Sequence, residues 1–153
     1  MEPRYVIRKV AVTDPDYSKV LELREVLLSD VTKDREKFNE DDDISDIYLM
    51  ETAAGVPLAT IRVVPHAHGF QFSKLAVARA HQSRGVGQLL FRNMIDRYYP
   101  RLSQDQILFG HSKANLVDYY RRSGFIPFGS PFVKWGTMHH EIRYDGNNWN
   151  KEL

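Results

Sequence analysis

The sequence predicts an α/β (α+β) domain in which a mixed β-sheet is flanked by helices. In the second half of the chain, strand-like apolar runs alternate with amphipathic runs of helical period. In the first half, two strand-like runs are joined by a segment rich in turn residues, which is typical of a hairpin. Helix-linked and hairpin-linked strands together predict both parallel and antiparallel neighbours. At 153 residues, the whole chain, 1–153, is expected to form one domain with a buried core.

The first third of the chain predicts a strand, a helix and a polar connection. Alternating apolar residues predict a short strand from Tyr5 to Val10. Asp14-Pro15 has the pattern of a cap followed by proline at the first helical position, so we expect a helix to about Ser29. The segment Thr32 to Asp46 is polar and mostly acidic, and it predicts a loop or a short second helix.

The middle of the chain predicts three strands and a long helix. Ile47 to Thr52 and Leu58 to Val64 have the composition of two hairpin strands, with a glycine and a proline between them. A third strand is expected from Gly69 to Val77. The next helix begins near Val86, has one apolar face and stops at Pro100.

The last third predicts a strand, a helix and two more strands. The strand runs from Gln106 to about His111, and Ser112 is the expected cap of a helix that Gly124 ends. The final strands are expected at Phe125 to Phe128 and Thr137 to Tyr144. The polar residues 145–153 that follow are expected to be a loosely held tail.

Composition restricts the function classes. Lysine and arginine number 21 and aspartate and glutamate 20, so there is no excess of positive charge of the kind that favours nucleic acid or an anionic membrane. No apolar stretch is long enough to span a membrane, and Met1 to Arg4 does not resemble a secretion signal. The absence of cysteine fits a reducing compartment. We therefore expect a cytoplasmic protein that binds neither nucleic acid nor membrane.

The segment Gln82 to Gly87, between a strand and a helix, is the strongest functional signal. A helix N-terminus has unpaired N–H groups and a favourable dipole for an anion, and Gly85 and Gly87 let phosphates approach closely. The Walker and dinucleotide patterns do not fit, because Leu90 stands where the dinucleotide pattern needs a third glycine. The alternative is a glycine-rich turn that begins an ordinary surface helix.

Two segments resemble motifs of the GNAT acetyltransferase superfamily. Leu75-Ala76-Val77 followed by Gln82, Gly85 and Gly87 is similar to motif A, and Tyr119 to Phe125 is similar to the end of motif B. The two motifs occur in the expected order. The resemblance implies a mostly antiparallel central sheet flanked by helices.

Three shorter segments are similar to the ElaA-like branch of that superfamily. They are Leu23 to Val26, the acidic run Glu40 to Asp43, and His139 to Ile142.

The resemblance implies acetyl-CoA as cosubstrate, bound mainly by backbone. The chain at Leu75, Ala76 and Val77 would pair with the pantetheine arm, and the loop amides would hold the pyrophosphate. The implied loop residues are Gln82, Ser83, Arg84, Gly85, Val86, Gly87 and Gln88. Arg84 adds a charge-assisted contact to phosphate or is a solvated loop arginine.

Tyr120 is the candidate catalytic residue. When an amine attacks the thioester, the departing sulfur becomes negative, and a phenol within reach can protonate or stabilise it. The alternative is a tyrosine that only packs under the last helix. No cysteine is available to carry an acyl group, so transfer directly from the thioester is favoured.

The general base is left open by the sequence. Gln71 stands where histone-type members have a glutamate, and it cannot accept a proton at neutral pH. The candidates in its place are Glu40, Asp41, Asp42, Asp43, Asp46, His111, His139 or solvent. The histidines have no metal-ligand spacing, and no metal site is expected.

The acidic run bears on the acceptor. The resemblance implies that Asp41, Asp42 and Asp43 lie in the segment that forms one wall of the acceptor site, where they would favour a cationic amine; the alternative is a solvated loop.

The leading function is transfer of acetyl from acetyl-CoA to a primary amine of a small molecule or peptide. The alternative is a non-catalytic CoA-binding sensor or interaction domain, favoured by the lack of an acid at Gln71 and disfavoured by Tyr120. A homodimer is also considered.

Overall fold

The structure is a computed structural model that describes residues 4–28 and 34–146. The predicted helix end at Ser29, the start of the acidic connection at Thr32, the first residues, Met1 to Pro3, and most of the predicted tail, 147–153, lie outside the described residues. The strands are β1 (Tyr5–Lys9), β2 (Asp46–Thr52), β3 (Pro57–His66), β4 (Gly69–Val77), β5 (Ile107–Lys113), β6 (Phe125–Lys134) and β7 (Thr137–Tyr144). The helices are α1 (Tyr17–Arg24), α2 (Arg35–Phe38), α3 (Val86–Tyr98) and α4 (Val117–Arg121).

The described strands form one seven-stranded sheet in the order β1-β2-β3-β4-β5-β7-β6. Neighbouring strands are antiparallel except β4 and β5, which run parallel because α3 connects them. The prediction of a mixed, mostly antiparallel sheet flanked by helices is therefore confirmed. Among the described residues, no helix is long and apolar enough to cross a membrane.

The parallel strands β4 and β5 separate halfway along their length. Their pairing runs from Gly69 opposite Ile107 to Phe72 opposite Gly110 and goes no further. Beyond that point β5 stays paired with β7, whereas β4 stays paired with β3. Within the described part of the chain, the edge of β4 at Leu75–Val77 that faces β5 therefore has no partner strand.

A bulge at Lys74 interrupts β4 just past this separation. Lys74 has a left-handed φ of 53°, and the register with β3 shifts here. As a result, Phe72 packs in the core cluster under α3 and Ala76 packs in the cluster under α1, although a regular strand would put both on one face. The bulge therefore turns the backbone of the unpaired edge relative to the rest of β4.

The core occupies both faces of the sheet. The predicted apolar stripe of α3 is confirmed, since its five members are all buried against β2, β3 and β4: Val86, Leu90, Met94, Ile95 and Tyr98. On the opposite face, Val20 and Leu23 of α1 pack against Ile47 and Leu49 of β2. Tyr48 and Met50 point to the α3 side, as the alternation of side chains along a strand requires.

Most strand predictions and the start of α3 at Val86 are confirmed, whereas the two other helix starts are not. The strand Gly69–Val77 has the predicted bounds, and β6 extends well past Phe128, the predicted end. Ser112 does not cap a helix: it lies within β5, and its hydroxyl donates to the carbonyl oxygen of Lys113 at 2.8 Å. A 3₁₀ turn at Ala114–Leu116 then leads into α4. Gly124 follows that helix with φ 91°, as predicted for a helix end.

Helix α1 also begins later than predicted. Its N-cap is Asp16, and Asp14 accepts a hydrogen bond from the backbone N–H of Asp16 at 2.8 Å. Asp14 therefore closes a turn before the helix, because an aspartate side chain readily bonds the backbone two residues on.

Candidate active site

The unpaired edge of β4 forms one wall of a groove of about 500 Å³, which we call the split groove. It runs from the separation of β4 and β5 to the loop before α3. Eight of the ten residues predicted to bind the cosubstrate line it: Leu75, Ala76, Val77, Gln82, Ser83, Gly85, Gly87 and Gln88. The other two, Arg84 and Val86, are not among its lining residues; Arg84 is exposed, and Val86, the first residue of α3, is buried in the core.

The loop before α3 presents the helix N-terminus to the split groove. Gly85 is the N-cap, with a left-handed φ of 79°, and a Cβ placed on it would have no atom within 4 Å. The side-chain amide of Gln82 donates to the carbonyl oxygen of Val77 at 3.1 Å and ties the loop to the end of β4. Because the first N–H groups of a helix have no acceptor within the helix, this end of the groove favours an anion.

Gly87 is required by close packing. A Cβ there would lie 3.0 Å from Cγ2 of Val77 and 3.2 Å from the hydroxyl of Tyr119. The first turn of α3, the end of β4 and α4 therefore approach one another as closely as only glycine permits.

A smaller cavity of about 190 Å³ lies beside the split groove, and we call it the lysine cavity. Its lining combines apolar side chains with three lysines and two histidines. The apolar members include Leu27, Phe38, Phe72, Leu116 and Trp135, and the basic members are Lys74, Lys113, Lys134, His111 and His139. It shares Leu27, Leu75, Leu116 and Tyr120 with the split groove.

Tyr120 therefore lies where the two cavities meet. Its ring packs against Phe72, with the ring centres 5.4 Å apart, and against Phe91 at 5.2 Å. Burial raises the pKa of the Tyr120 hydroxyl, so it remains protonated at neutral pH. Its neighbour Tyr119 lines the split groove but not the lysine cavity.

The two inner lysines of the lysine cavity have few hydrogen-bonding partners. The Lys74 ammonium lies 3.5 Å from the centre of the Phe38 ring, and the Lys134 ammonium donates to Nδ1 of His111 at 3.1 Å. Burial, with the nearby charge of Arg62, lowers the pKa of Lys74 to about 7. Burial likewise lowers the pKa of Lys134.

Both histidines of the lysine cavity are neutral at pH 7. Burial, and then the charge of Lys134, lowers the pKa of His111 to about 4. Burial also lowers the pKa of His139, although a hydrogen bond to the backbone partly opposes the change. That bond runs from Nδ1–H of His139 to the carbonyl oxygen of Thr137 at 2.8 Å, so in the neutral ring Nε2 has the lone pair.

The acidic run does not form a wall of the lysine cavity. Asp42 is buried, 4% exposed, and it accepts hydrogen bonds from Arg24 at 2.6 Å, from Arg62 at 3.1 Å and from the hydroxyl of Tyr17. Burial opposes its ionisation, but these partners, Arg24 foremost, hold the pKa of Asp42 below its usual range. Asp42 is the shared carboxylate partner of two buried arginines, and none of Asp41, Asp42 and Asp43 lines either cavity, so their expected role in substrate binding stays a prediction that this placement does not favour.

The remaining candidates for the general base differ in whether they line the lysine cavity. Gln71 lines the lysine cavity, and its side-chain oxygen accepts from Nε2–H of His66 at 2.9 Å. Asp46 pairs with Lys9 at 2.7 Å and accepts from the hydroxyl of Tyr98 at 2.5 Å, away from the cavity lining. Glu40 is exposed and outside both linings. Of the candidates for a base that the sequence offered, the two histidines line the lysine cavity.

Sequence reasoning missed Lys74, Lys134 and Trp135. Trp135 and Gly136 form the two-residue turn between β6 and β7, with φ of 52° and 72°, and this turn holds the indole over the cavity. The available signals were a lysine inside the otherwise apolar end of β4 and a Trp-Gly pair between two strands. Neither signal indicated that the two would meet.

The chain matches the family model of the acetyltransferase (GNAT) domain over residues 14–145. No curated protein sequence matches it. Three solved structures are similar to it in fold. An acyl-CoA N-acyltransferase from Pseudomonas aeruginosa has a TM-score of 0.74 at 18% identity, with 94% of this chain and 100% of that chain covered. Escherichia coli ElaA has a TM-score of 0.73 at 17% identity, with the same coverage of 94% and 100%.

The third is a GNAT family acetyltransferase from Elizabethkingia anophelis with acetyl-CoA bound, with a TM-score of 0.71 at 16% identity and coverage of 94% of this chain and 99% of that chain. Likeness at these identities shows the fold alone, so assignment to the ElaA-like branch stays a prediction. The match over residues 14–145 and the fold together show that this chain is an acyltransferase that belongs to the GNAT acetyltransferase family.

Proposed function

We propose that this protein transfers an acetyl group from acetyl-CoA directly to a primary amine. The observation that carries the proposal is the position of Tyr120 at the junction of the split groove and the lysine cavity. In this arrangement the thioester of a CoA bound in the groove would lie beside the tyrosine, and the amine would reach it from the cavity.

The split groove suits acetyl-CoA on physical grounds. The unpaired edge of β4 at Leu75–Val77 can pair with the amides of the pantetheine arm as a strand would. The open space before Gly85 and the N-terminus of α3 suit the pyrophosphate. The acetyl-CoA bound to the structurally similar Elizabethkingia protein supports the same choice of cosubstrate.

The reaction needs one proton acceptor and one proton donor. The amine nitrogen attacks the thioester carbonyl carbon, a C–N bond forms, the C–S bond breaks, and CoA leaves as a thiolate. Tyr120, kept protonated by burial, donates a proton to that sulfur. The amine attacks in its neutral form, because a protonated amine has no lone pair, and the nitrogen, which becomes positively charged as the C–N bond forms, then loses one proton.

We assign that proton to Nε2 of His139. The ring is 6% exposed, lines the lysine cavity and is neutral at pH 7. Its Nδ1–H is engaged by Thr137, which leaves the lone pair on Nε2. His111 is less suited, because its Nδ1 already accepts from Lys134.

The non-catalytic alternative rests on Gln71, which puts an amide where histone-type relatives have a carboxylate. A CoA sensor needs the split groove but needs neither Tyr120 nor His139.

The two functions are separated by measuring CoA release from acetyl-CoA over a panel of amines, alongside calorimetric binding of CoA. We expect CoA binding and amine-dependent CoA release. Binding without release for any amine would establish the sensor, and absence of binding would remove both.

A further inference from the structure

We propose that the amine acceptor carries an anionic group, a carboxylate or a phosphate, which Lys74 and Lys134 bind in the lysine cavity. This inference rests on the proposed function, since it names the substrate class of the same site. It is the opposite of the cationic acceptor that the acidic run of the sequence suggested.

The charge of the cavity lining supports an anion. Lys74, Lys113 and Lys134 are among the described residues that line it, and no aspartate or glutamate is. Lys113 is exposed at the rim, whereas Lys74 and Lys134 are half-buried. An amine with a second positive charge would therefore meet repulsion, and an amine with a negative charge would be attracted.

The charges behind the lining leave this balance positive. Arg24 and Arg62 share Asp42 as their carboxylate partner, so that group has one negative charge for two positive ones. The negative charge of Asp41 favours the protonated forms of Lys134 and Arg62, but Asp41 lies outside the cavity lining. Among the described residues, the acidic run thus pairs directly with the arginines and forms no ion pair with either lysine.

Lys74 and Lys134 have no carboxylate partner among the described residues. Their contacts include the Phe38 and Trp135 rings for Lys74 and Nδ1 of His111 for Lys134, none of which carries a negative charge. A half-buried ammonium without a counter-ion is unfavourable, and burial first, then the positive charge of Arg62, lowers the pKa of both lysines. A ligand anion placed between them would supply the missing counter-ion.

The rest of the cavity limits the acceptor to a compact molecule. Its volume is about 190 Å³, and Phe38, Phe72 and Trp135 give it an apolar surface. The ligand that fits is a small amine with an apolar body and one anionic group, of the size of an amino acid or an amino-alkyl phosphate.

Matched acceptors test the inference through turnover. Phenylalanine, phenylalaninamide and phenethylamine share a body and differ in charge, and O-phosphoethanolamine against ethanolamine gives the phosphate arm. We expect kcat/KM to be at least about tenfold higher for an anionic member than for its neutral or cationic counterpart. The two arms show whether the group is a carboxylate or a phosphate. Equal or better turnover of the uncharged or cationic members overturns the inference.

Lys134→Gln tests the anion site directly. In this variant we expect at least about a tenfold rise in KM for the anionic acceptor and an unchanged KM for acetyl-CoA. Lys134→Arg keeps the positive charge, so its KM for the anionic acceptor should stay close to the wild-type value. The matched control is Lys9→Gln, which removes the same charge from β1, at the far edge of the sheet. An unchanged acceptor KM in Lys134→Gln contradicts the site.

A binding measurement separates failure of this inference from failure of the proposed function. Phenylpropionate has the carboxylate and no amine, so it is titrated calorimetrically into the protein saturated with CoA. Binding to the wild type that Lys134→Gln weakens supports the anion site even without turnover. Absence of binding overturns the site, whereas absence of CoA release with every amine overturns only the proposed function.

Discussion

The ring of Tyr120 packs 5.4 Å, centre to centre, from the ring of Phe72, and Phe72 is the last residue of β4 that pairs with β5. Opposite it stands Gly110, where any Cβ would come within 2.4 Å of the Phe72 ring. The separation of the strands and the placement of the tyrosine thus depend on the same packed phenylalanine. This link explains why Tyr120 lies at the opening between the strands and not deeper in the core.

Tyr120→Phe tests the role of the hydroxyl. The substitution keeps the ring that packs on Phe72, so the fold and acetyl-CoA affinity should stay nearly constant. Turnover should fall by at least about tenfold, because the proton donor to the leaving sulfur is lost. Tyr119→Phe is the control and should keep wild-type turnover, since Tyr119 lines the split groove but not the lysine cavity. Wild-type turnover in Tyr120→Phe would show that the residue is structural.

Gly85→Asp tests the pyrophosphate site. The new side chain would enter open space beside the N-terminus of α3 and repel a phosphate, so calorimetry should show loss of CoA binding with an unchanged circular dichroism spectrum.

The matched control is Gly55→Asp in the turn between β2 and β3. Gly55 has a similar φ of 87°, and a Cβ placed on it would likewise have no atom within 4 Å. The two variants therefore share the backbone strain and differ in location. Equal CoA affinity in the two variants would contradict the assignment.

Asp42→Asn tests whether the acidic run serves stability. Asp42 is the shared partner of Arg24, which is 1% exposed, and Arg62. Removing one side of a buried ion pair leaves uncompensated charge, so the free energy of unfolding should fall by about 3 kcal/mol. Denaturant unfolding measures it. Asp43→Asn, at an exposed site, should change neither stability nor acceptor KM; a raised KM there would return the acidic run to the acceptor site.

His139→Gln tests the base. Because the pKa of His139 lies below 6.5, the wild type should show an acid limb in kcat/KM below that value through protonation of Nε2, in addition to the loss that protonation of the free amine causes. The variant should lose at least about tenfold at pH 7.5 and lack that acid limb. His140 is the adjacent residue, and its side chain points to the other face of β7. His140→Gln should therefore keep the wild-type activity at pH 7.5 and the acid limb. An acid limb that survives in His139→Gln would assign the base to another group.

Local patterns predicted much of this fold. The strand Gly69–Val77 and the start of α3 at Val86 followed from apolar periodicity and the glycines between them, and the two motifs led to the split groove. The lysine cavity did not follow, because the bulge at Lys74 reverses the side-chain alternation of β4. The ion pair of Asp42 could not be predicted either, because its partner Arg62 is distant in sequence and is brought close only by the sheet.

Lys74→Met tests the electrostatic state of the lysine cavity. The folded pKa of Lys74, about 7, lies below the ordinary lysine value of 10.5, so between these values the unfolded chain binds more protons than the folded one. The contribution of Lys74 to the free energy of unfolding of the wild type should therefore rise as pH increases from about 7 to 10.5. Methionine removes the buried charge and keeps an apolar contact with Phe38, so the variant should be more stable.

The gain from Lys74→Met should be largest at pH 7 and below, where folded Lys74 is protonated, and should shrink as pH rises towards 10.5. Thermal unfolding from pH 6 to pH 9 measures it, with Lys37→Met, on α2, as the control for removal of a lysine near Trp135. The more stable variant should also have a raised KM for an anionic acceptor, since it lacks one of the two cations that bind it. A loss of stability at pH 7 would show that contact with the Phe38 ring outweighs the cost of burying the ammonium.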